Sequence, residues 1–225
     1  MTGLAPAGAA RPAGPAAAAL GRLLVLTDRR ACARPLPDVV RAAVDGGART
    51  VVLREKDLPL GERARLADQL RAVLGDGLLV LAGSTLRCEP TGTPPGGPAG
   101  HTDALHLSAA DDLPARRPAL LGRSCHDAAE VTRAAAEGCD WVTVSPVWET
   151  ASKPGYGPPL GPPGLAALLP GAPPAYGLGG VDGPDRARAC RAAGTYGVAV
   201  LGTVMRAARP DRAVAGLLAA LGEGP

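Results

Sequence analysis

LLVLTDRRACARPLPDVVRAAVDGGARTVVLREKDLPLGERARLADQLRAVL, residues 23–74, carries one pattern twice. A short apolar run, Leu23–Thr27 and then Thr50–Arg54, is followed by a longer stretch rich in Ala, Leu and Arg, Leu36–Asp45 and then Gly61–Leu74. Unbroken apolar runs of this length fit strands covered on both faces. In the second long stretch Arg63, Leu66, Leu70, Val73 and Leu74 fall three to four residues apart, the spacing of a helix with one buried side. Two strand–helix units in succession imply parallel strands joined by helical crossovers.

The alternation continues outward from this pair. Strands are predicted at Leu78–Ala82, Ala104–Leu107, Leu120–Ser124, Trp141–Ser145, Ala175–Leu178 and Val198–Leu201. Helices are predicted at Asp127–Glu137, Pro163–Leu169, Pro184–Ala193 and Pro210–Leu221. Three of them begin with proline, whose missing N–H costs nothing in a first turn. Eight strands make the fold class α/β and the architecture a small (β/α)₈ TIM barrel; a doubly wound sheet would leave strands over. The third unit is irregular, because Gly83–Thr102 is rich in Pro and Gly and shows no helical spacing; it is a candidate loop over the site. The single barrel domain is placed at residues 20–222, and residues 1–19, nearly all Ala, Pro and Gly, are expected to form a disordered leader.

Composition narrows the function classes. The chain has 225 residues, of which 46% are hydrophobic and 20% charged, with a net charge of +3. That balance gives no nucleic-acid tail, and no apolar run approaches the roughly 18 residues of a membrane span. Phe is absent and the five aromatic residues all lie in the second half, so a core of Leu, Val and Ala is expected. Five cysteines without a C-x-x-C pair argue against a disulfide framework or a zinc site. Together with an N-terminus unlike a secretory signal, they point to a cytoplasmic protein.

Of the 24 basic residues only Lys56 and Lys153 are lysine. In a chain that uses arginine wherever any cation serves, a retained lysine marks a place for a compact, rotatable ammonium. Both follow predicted strands, on the rim where a barrel of this class keeps its chemistry. Arg54, Lys56 and Lys153 make one cationic cluster suited to pyrophosphate or carboxylate; the plain alternative is that Arg54 or Lys56 pairs with Glu55 or Asp57 at the surface. Gly179, Gly180, Gly202 and Thr203 follow the seventh and eighth strands, a frequent phosphate-binding position. His126, beside Ser124, is the candidate proton shuttle. His101 and His106 are read as structural or solvated.

Several motifs together resemble the thiamin phosphate synthase and TenI family. They are Arg54-Glu55-Lys56, Gly122-Arg123-Ser124-Cys125-His126-Asp127, the Trp148-to-Gly161 segment with Lys153-Pro154-Gly155, Leu178-Gly179-Gly180-Val181 and Gly197-Val198-Ala199-Val200. The resemblance runs from about Leu23 to Leu221 and implies a (β/α)₈ barrel in thiamin biosynthesis. It implies that Arg54, Lys56, Ser124 and Lys153 face pyrophosphate, that Gly179 and Gly180 hold thiazole phosphate, and that His126 matches a tautomerase histidine. The synthase pattern has an Asn-Asp pair at the end of the third strand, the Asn facing the pyrimidine and the Asp a Mg²⁺ ion, and a Gln ahead of Arg-Glu-Lys. Here those positions read Ala82-Gly83 and Val52, and the chain contains no asparagine. A second metal aspartate falls on Asp111 or Asp112.

These departures favour a metal-independent, TenI-like thiazole tautomerase with His126 as acid and base and no cofactor. The alternative is a divergent thiamin phosphate synthase using Mg²⁺, and a further one an inactive barrel that only binds a phosphorylated ligand. In every case the partner is a small phosphorylated heterocycle, with no nucleic acid and no membrane, and a homodimer is compatible with the family.

Overall fold

The structure is a computed structural model and describes residues 15–83, 104–150 and 157–223. Eight parallel strands close into a barrel in sequence order: β1 (Leu23–Leu26), β2 (Thr50–Leu53), β3 (Leu78–Ala82), β4 (Ala104–Leu107), β5 (Leu120–Cys125), β6 (Trp141–Val144), β7 (Ala175–Leu178) and β8 (Gly197–Val200), with β8 paired to β1. Preceding β1 is α1 (Pro15–Leu20); α2 (Leu36–Asp45) follows β1, α3 (Leu60–Leu74) follows β2 and α4 (Ala128–Ala136) follows β5. Then come α5 (Gly161–Ala167), α6 (Pro184–Ala192), the one-turn α7 (Gly202–Met205) and α8 (Pro210–Ala220). The predicted loop at Gly83–Thr102 falls on residues 84–103, outside the described residues apart from Gly83.

Alternation along each strand sorts the core into two layers. Val25, Val51, Leu53, Val142, Val144 and Val198 point outward and pack under the helices, while Leu24, Leu26, Val52, Val80, Trp141, Tyr176 and Ala199 fill the barrel. The interior therefore departs from the expected Leu, Val and Ala core: two fully buried aromatic rings occupy it. Trp141 is paired in register with Gly122, and a Cβ at Gly122 would collide with the Trp141 ring. A narrow barrel has room for one large ring per layer only if its neighbour gives up its side chain.

Residues 15–19 do not belong to a disordered leader. Pro15–Leu20 is helical, with Ala17 and Leu20 fully buried. Leu20 enters the barrel from its lower end, the Thr50 hydroxyl donates to the Leu20 carbonyl at 2.7 Å, and the Tyr176 hydroxyl donates to the Gly21 carbonyl at 2.6 Å. Burial of one leucine and two hydrogen bonds outweigh the entropy an alanine-rich turn would otherwise keep.

Among the described residues no helix is long and apolar enough to cross a membrane. Cys32, Cys125, Cys139 and Cys190 are free thiols, and burial pushes Cys125 and Cys190 up to about 12, which makes them inert packing groups.

Candidate functional site

A cavity of about 500 Å³ opens at the C-terminal ends of the strands. Arg54, Lys56, Ser124, His126, Gly179, Gly180, Gly202 and Thr203 all line it. Lys153 lies outside the described residues, and Asp111 and Asp112 do not line the cavity. Its floor is apolar, formed by Leu26, Val52, Ala82, Leu178 and Ala199.

The turn after β2 sorts its charges by alternation. Glu55 is 2% exposed and faces away, accepting from the Arg29 amide at 2.9 Å and from Arg29 Nη1 at 3.0 Å. Arg29 and Arg30 also take Asp57, whose pKa falls to about 2, chiefly through the Arg29 hydrogen bonds. The surface pairing weighed above for Arg54 and Lys56 is thus made by Arg29 and Arg30 instead. Arg54 and Lys56 form no ion pair among the described residues and turn into the cavity. Lys56 lies across the end of β3: a Cβ built on Gly83 would be 3.3 Å from its Cε and 3.6 Å from Nζ.

On the far side of β1 lies the glycine station. The Gly179 carbonyl accepts from the Trp148 amide at 3.0 Å and the Gly180 carbonyl from Arg186 Nη1 at 2.5 Å. Arg186 stacks on Trp148 at 5.2 Å and pairs with Asp182 at 3.0 Å. The Arg206 guanidinium lies directly over Gly202, where a Cβ would collide with it. Glycine backbone with two arginines beside it is chemically able to hold a phosphate. Neither Arg186 nor Arg206 stood out in the sequence. The only signal was position, each within a few residues of a glycine that follows β7 or β8.

His126 follows β5 and its ring Nδ1 is 2.7 Å from the Ser145 carbonyl. A carbonyl can only accept, so Nδ1 carries the hydrogen and the neutral ring keeps its lone pair at Nε2. Of the two expectations for His106 the structural one fits and the solvated one does not: it is 7% exposed, stacks on Trp141 at 5.8 Å, stands 3.1 Å from Ser124 Oγ through Nε2, and also lines the cavity. Burial foremost, then the charges of Lys56 and Arg123, push its pKa down to about 3.

That shift has a consequence for stability. An unfolded histidine titrates near 6.5, so below that pH the unfolded chain binds a proton that the folded chain refuses, and stability falls as pH falls. From pH ~7 to pH ~5 the loss from His106 alone is about 2 kcal/mol. Urea denaturation at the two pH values measures it, and His106→Gln should shrink the difference by most of that amount. A difference that persists in the variant would assign the dependence to other groups.

The Mg²⁺ ion that the family resemblance implies has poor support in these side chains. Among the described residues no three His, Cys, Asp or Glu side chains converge. The end of β3 offers Ala82 and Gly83, neither with a side-chain oxygen. Burial raises the pKa of Asp111, but hydrogen bonds from Ser108 and the charges of Lys56 and Arg123 outweigh it and hold the carboxylate below its usual range. Its Oδ2 is committed to the Ser108 amide at 2.7 Å, and Asp112 is exposed. Among the described residues the predicted metal position thus comes down to the single carboxylate of Asp111, which does not line the cavity.

Comparisons with known proteins agree with this fold and motif set. A family model described as thiamine monophosphate synthase matches residues 98–204. The thiamine-phosphate synthase of Roseiflexus castenholzii is 37% identical over 213 residues, covering 88% of this chain and 86% of that protein. The thiamine biosynthesis bifunctional protein ThiM/ThiE of Symbiobacterium thermophilum is 35% identical over 191 residues, which are 81% of this chain but 38% of that longer protein. Thiamine phosphate pyrophosphorylase from Pyrococcus furiosus superposes with a TM-score of 0.74 at 24% identity, covering 92% of this chain and 98% of that one, and shares the fold. With more than a third of its residues shared along nearly the full length of a named synthase, and the barrel and motifs to match, the chain belongs to the thiamine monophosphate synthase and TenI family.

Proposed function

We propose that the chain is a thiamin-biosynthesis enzyme that joins a pyrimidine pyrophosphate to thiazole phosphate, the reaction of a thiamin phosphate synthase. One observation carries this reading. Arg54 and Lys56 turn into the same cavity as Gly179, Gly180 and Gly202, giving two stations for anions with an apolar floor between them. A reaction with two phosphorylated partners uses both stations. In that reaction the thiazole nitrogen attacks the methylene of the pyrimidine. A C–N bond forms, the C–O bond to pyrophosphate breaks, and pyrophosphate leaves with the electron pair. Arg54 and Lys56 then meet charge as it develops on the leaving oxygen, where fixed cations in a cavity accelerate most. The glycine station holds the thiazole phosphate throughout.

A second reading rests on His126. The Ser145 carbonyl orients the His126 ring in the cavity, where an imidazole can take and return a proton as a thiazole tautomerase requires. Val52, Ala82 and Gly83, in place of the polar residues of the synthase pattern, favour the same reading. Full-length likeness to proteins named thiamine-phosphate synthase supports placing the coupling reaction first.

The test supplies both synthase substrates, in EDTA and in Mg²⁺, and follows thiamin phosphate. Coupling is expected in both media, with Lys56→Ala lowering kcat/KM by about ten- to a hundredfold and His126→Ala changing it little. No coupling in either medium, together with a ring-proton shift on carboxythiazole phosphate that His126→Ala abolishes, would replace the first reading by the second.

A further inference from the structure

We propose that His106 is a positioning residue that fixes the Ser124 hydroxyl as a hydrogen-bond donor into the cavity. Strand alternation brings the parts together. His106 on β4 and Ser124 on β5 both point inward, and the parallel register sets Ser124 against Thr143 on β6. Packing on Trp141, with 21° between the planes, fixes the imidazole orientation.

A neutral ring has one hydrogen to place. Among the described residues buried Nδ1 has no hydrogen-bond partner, whereas Nε2 lies 3.1 Å from Ser124 Oγ and 3.3 Å from Thr143 Oγ1. A hydrogen on Nδ1 would leave a buried N–H with no acceptor, the kind of orphan that folded proteins rarely keep. A hydrogen on Nε2 leaves only a lone pair unmatched. Nε2 is therefore the donor, and Ser124 Oγ accepts from it.

Thr143 Oγ1 also donates to Ser124 Oγ, at 3.5 Å. The serine oxygen then has both lone pairs engaged, so its own hydrogen must point away from the barrel interior. Ser124 is half-buried and lines the cavity, so that direction is toward the ligand. The serine meets an anionic oxygen with a hydrogen already in place rather than a lone pair. His106 touches no reacting atom in this scheme and acts through Ser124. The inference rests on the proposed reaction only for the ligand, a pyrophosphate.

Two measurements test it. Long-range ¹⁵N–¹H spectra of the histidine-labelled protein should place the His106 hydrogen on Nε2 at neutral and mildly acid pH. Titration with inorganic pyrophosphate in EDTA should show His106→Gln weakening binding by about three- to tenfold, and the same substitution adding nothing in a Ser124→Ala background. A hydrogen found on Nδ1, or an equal loss in both backgrounds, overturns the proposal. The spectra need no variant, so a misfolded His106→Gln leaves the tautomer to decide. If the unaltered protein ignores pyrophosphate altogether, the proposed reaction fails and the spectra still judge His106.

Discussion

Arg123→Met loses about 3–5 kcal/mol of folding stability, the cost of leaving three part-buried carbonyls without their shared donor. Arg123 points outward from β5 yet is fully buried. Its Nη1 donates to the carbonyls of Ser108 at 2.9 Å, Ala109 at 3.3 Å and Asp111 at 2.8 Å, and so shapes the loop after β4. On the other side Nε lies 2.7 Å from Glu137 Oε2, a close charge contact too bent to be a hydrogen bond. Methionine keeps most of the volume, so the loss reads polar rather than packing energy. Three carbonyls lose their shared donor, while Glu137 keeps Arg133 at 2.7 Å. Urea denaturation checks the value, with an unchanged m as evidence that the transition is still two-state. A loss under about 1 kcal/mol would mean that water satisfies those carbonyls. Because the same loop carries Ser108 and Ala109 to the cavity rim, ligand affinity should fall with stability.

The strands were legible because a parallel barrel buries both faces of each one. An apolar run such as Leu23–Leu26 has no other reading in a chain of this composition, and Pro184 and Pro210 mark their helix starts to the residue. What the sequence hides is anything that depends on register. Gly122 and Trp141 are far apart in the chain, and only the pairing of β5 with β6 shows that one exists to admit the other. The helix at Pro15–Leu20 was missed for a related reason: alanines are indifferent to burial, and the tie to Thr50 and Tyr176 is purely tertiary.

Site residues divide along the same line. Arg54 and Lys56 stand out because lysine is rare here and the rim position was predictable, and both line the cavity. Arg186 and Arg206, which also line the cavity, do not stand out because a chain with 22 arginines gives each of them little weight. His106 could have been found. Period-two alternation from the buried Ala104 puts it inside the barrel, and a histidine inside a barrel near its mouth belongs to the cavity. Arg123 sits in the motif that carries the family resemblance, yet its work is to hold a loop. Proximity in a motif did not separate the residue that lines the cavity, Ser124, from its neighbour that faces the helices.

Gly180→Ala tests the other end of the cavity and should be among the most damaging small changes in the chain. Gly180 has φ +67, and a Cβ there would lie 2.5 Å from the Glu149 carbonyl oxygen and 2.7 Å from Trp148 Cβ. Two costs combine. A left-handed backbone angle on a residue with a side chain stores about 1–3 kcal/mol, and forcing an extra carbon into a packed contact adds about 1–3 kcal/mol. Relief requires the Trp148–Glu149 backbone to retreat, which pulls Trp148 from under Arg186 and opens the glycine station on one side. The expected result is a stability loss of about 2–5 kcal/mol and a thiazole phosphate affinity weakened by about tenfold or more. Gly183→Ala is the matched control. A Cβ at Gly183 meets nothing within 4 Å, so affinity should stay near its starting value and stability should fall only by the cap preference at the start of α6, about 1 kcal/mol. Thermal denaturation and calorimetric titration with thiazole phosphate read the two effects separately. Wild-type affinity in Gly180→Ala would show that the phosphate is held elsewhere, and would leave the Arg54 and Lys56 side as the single anion station of this cavity.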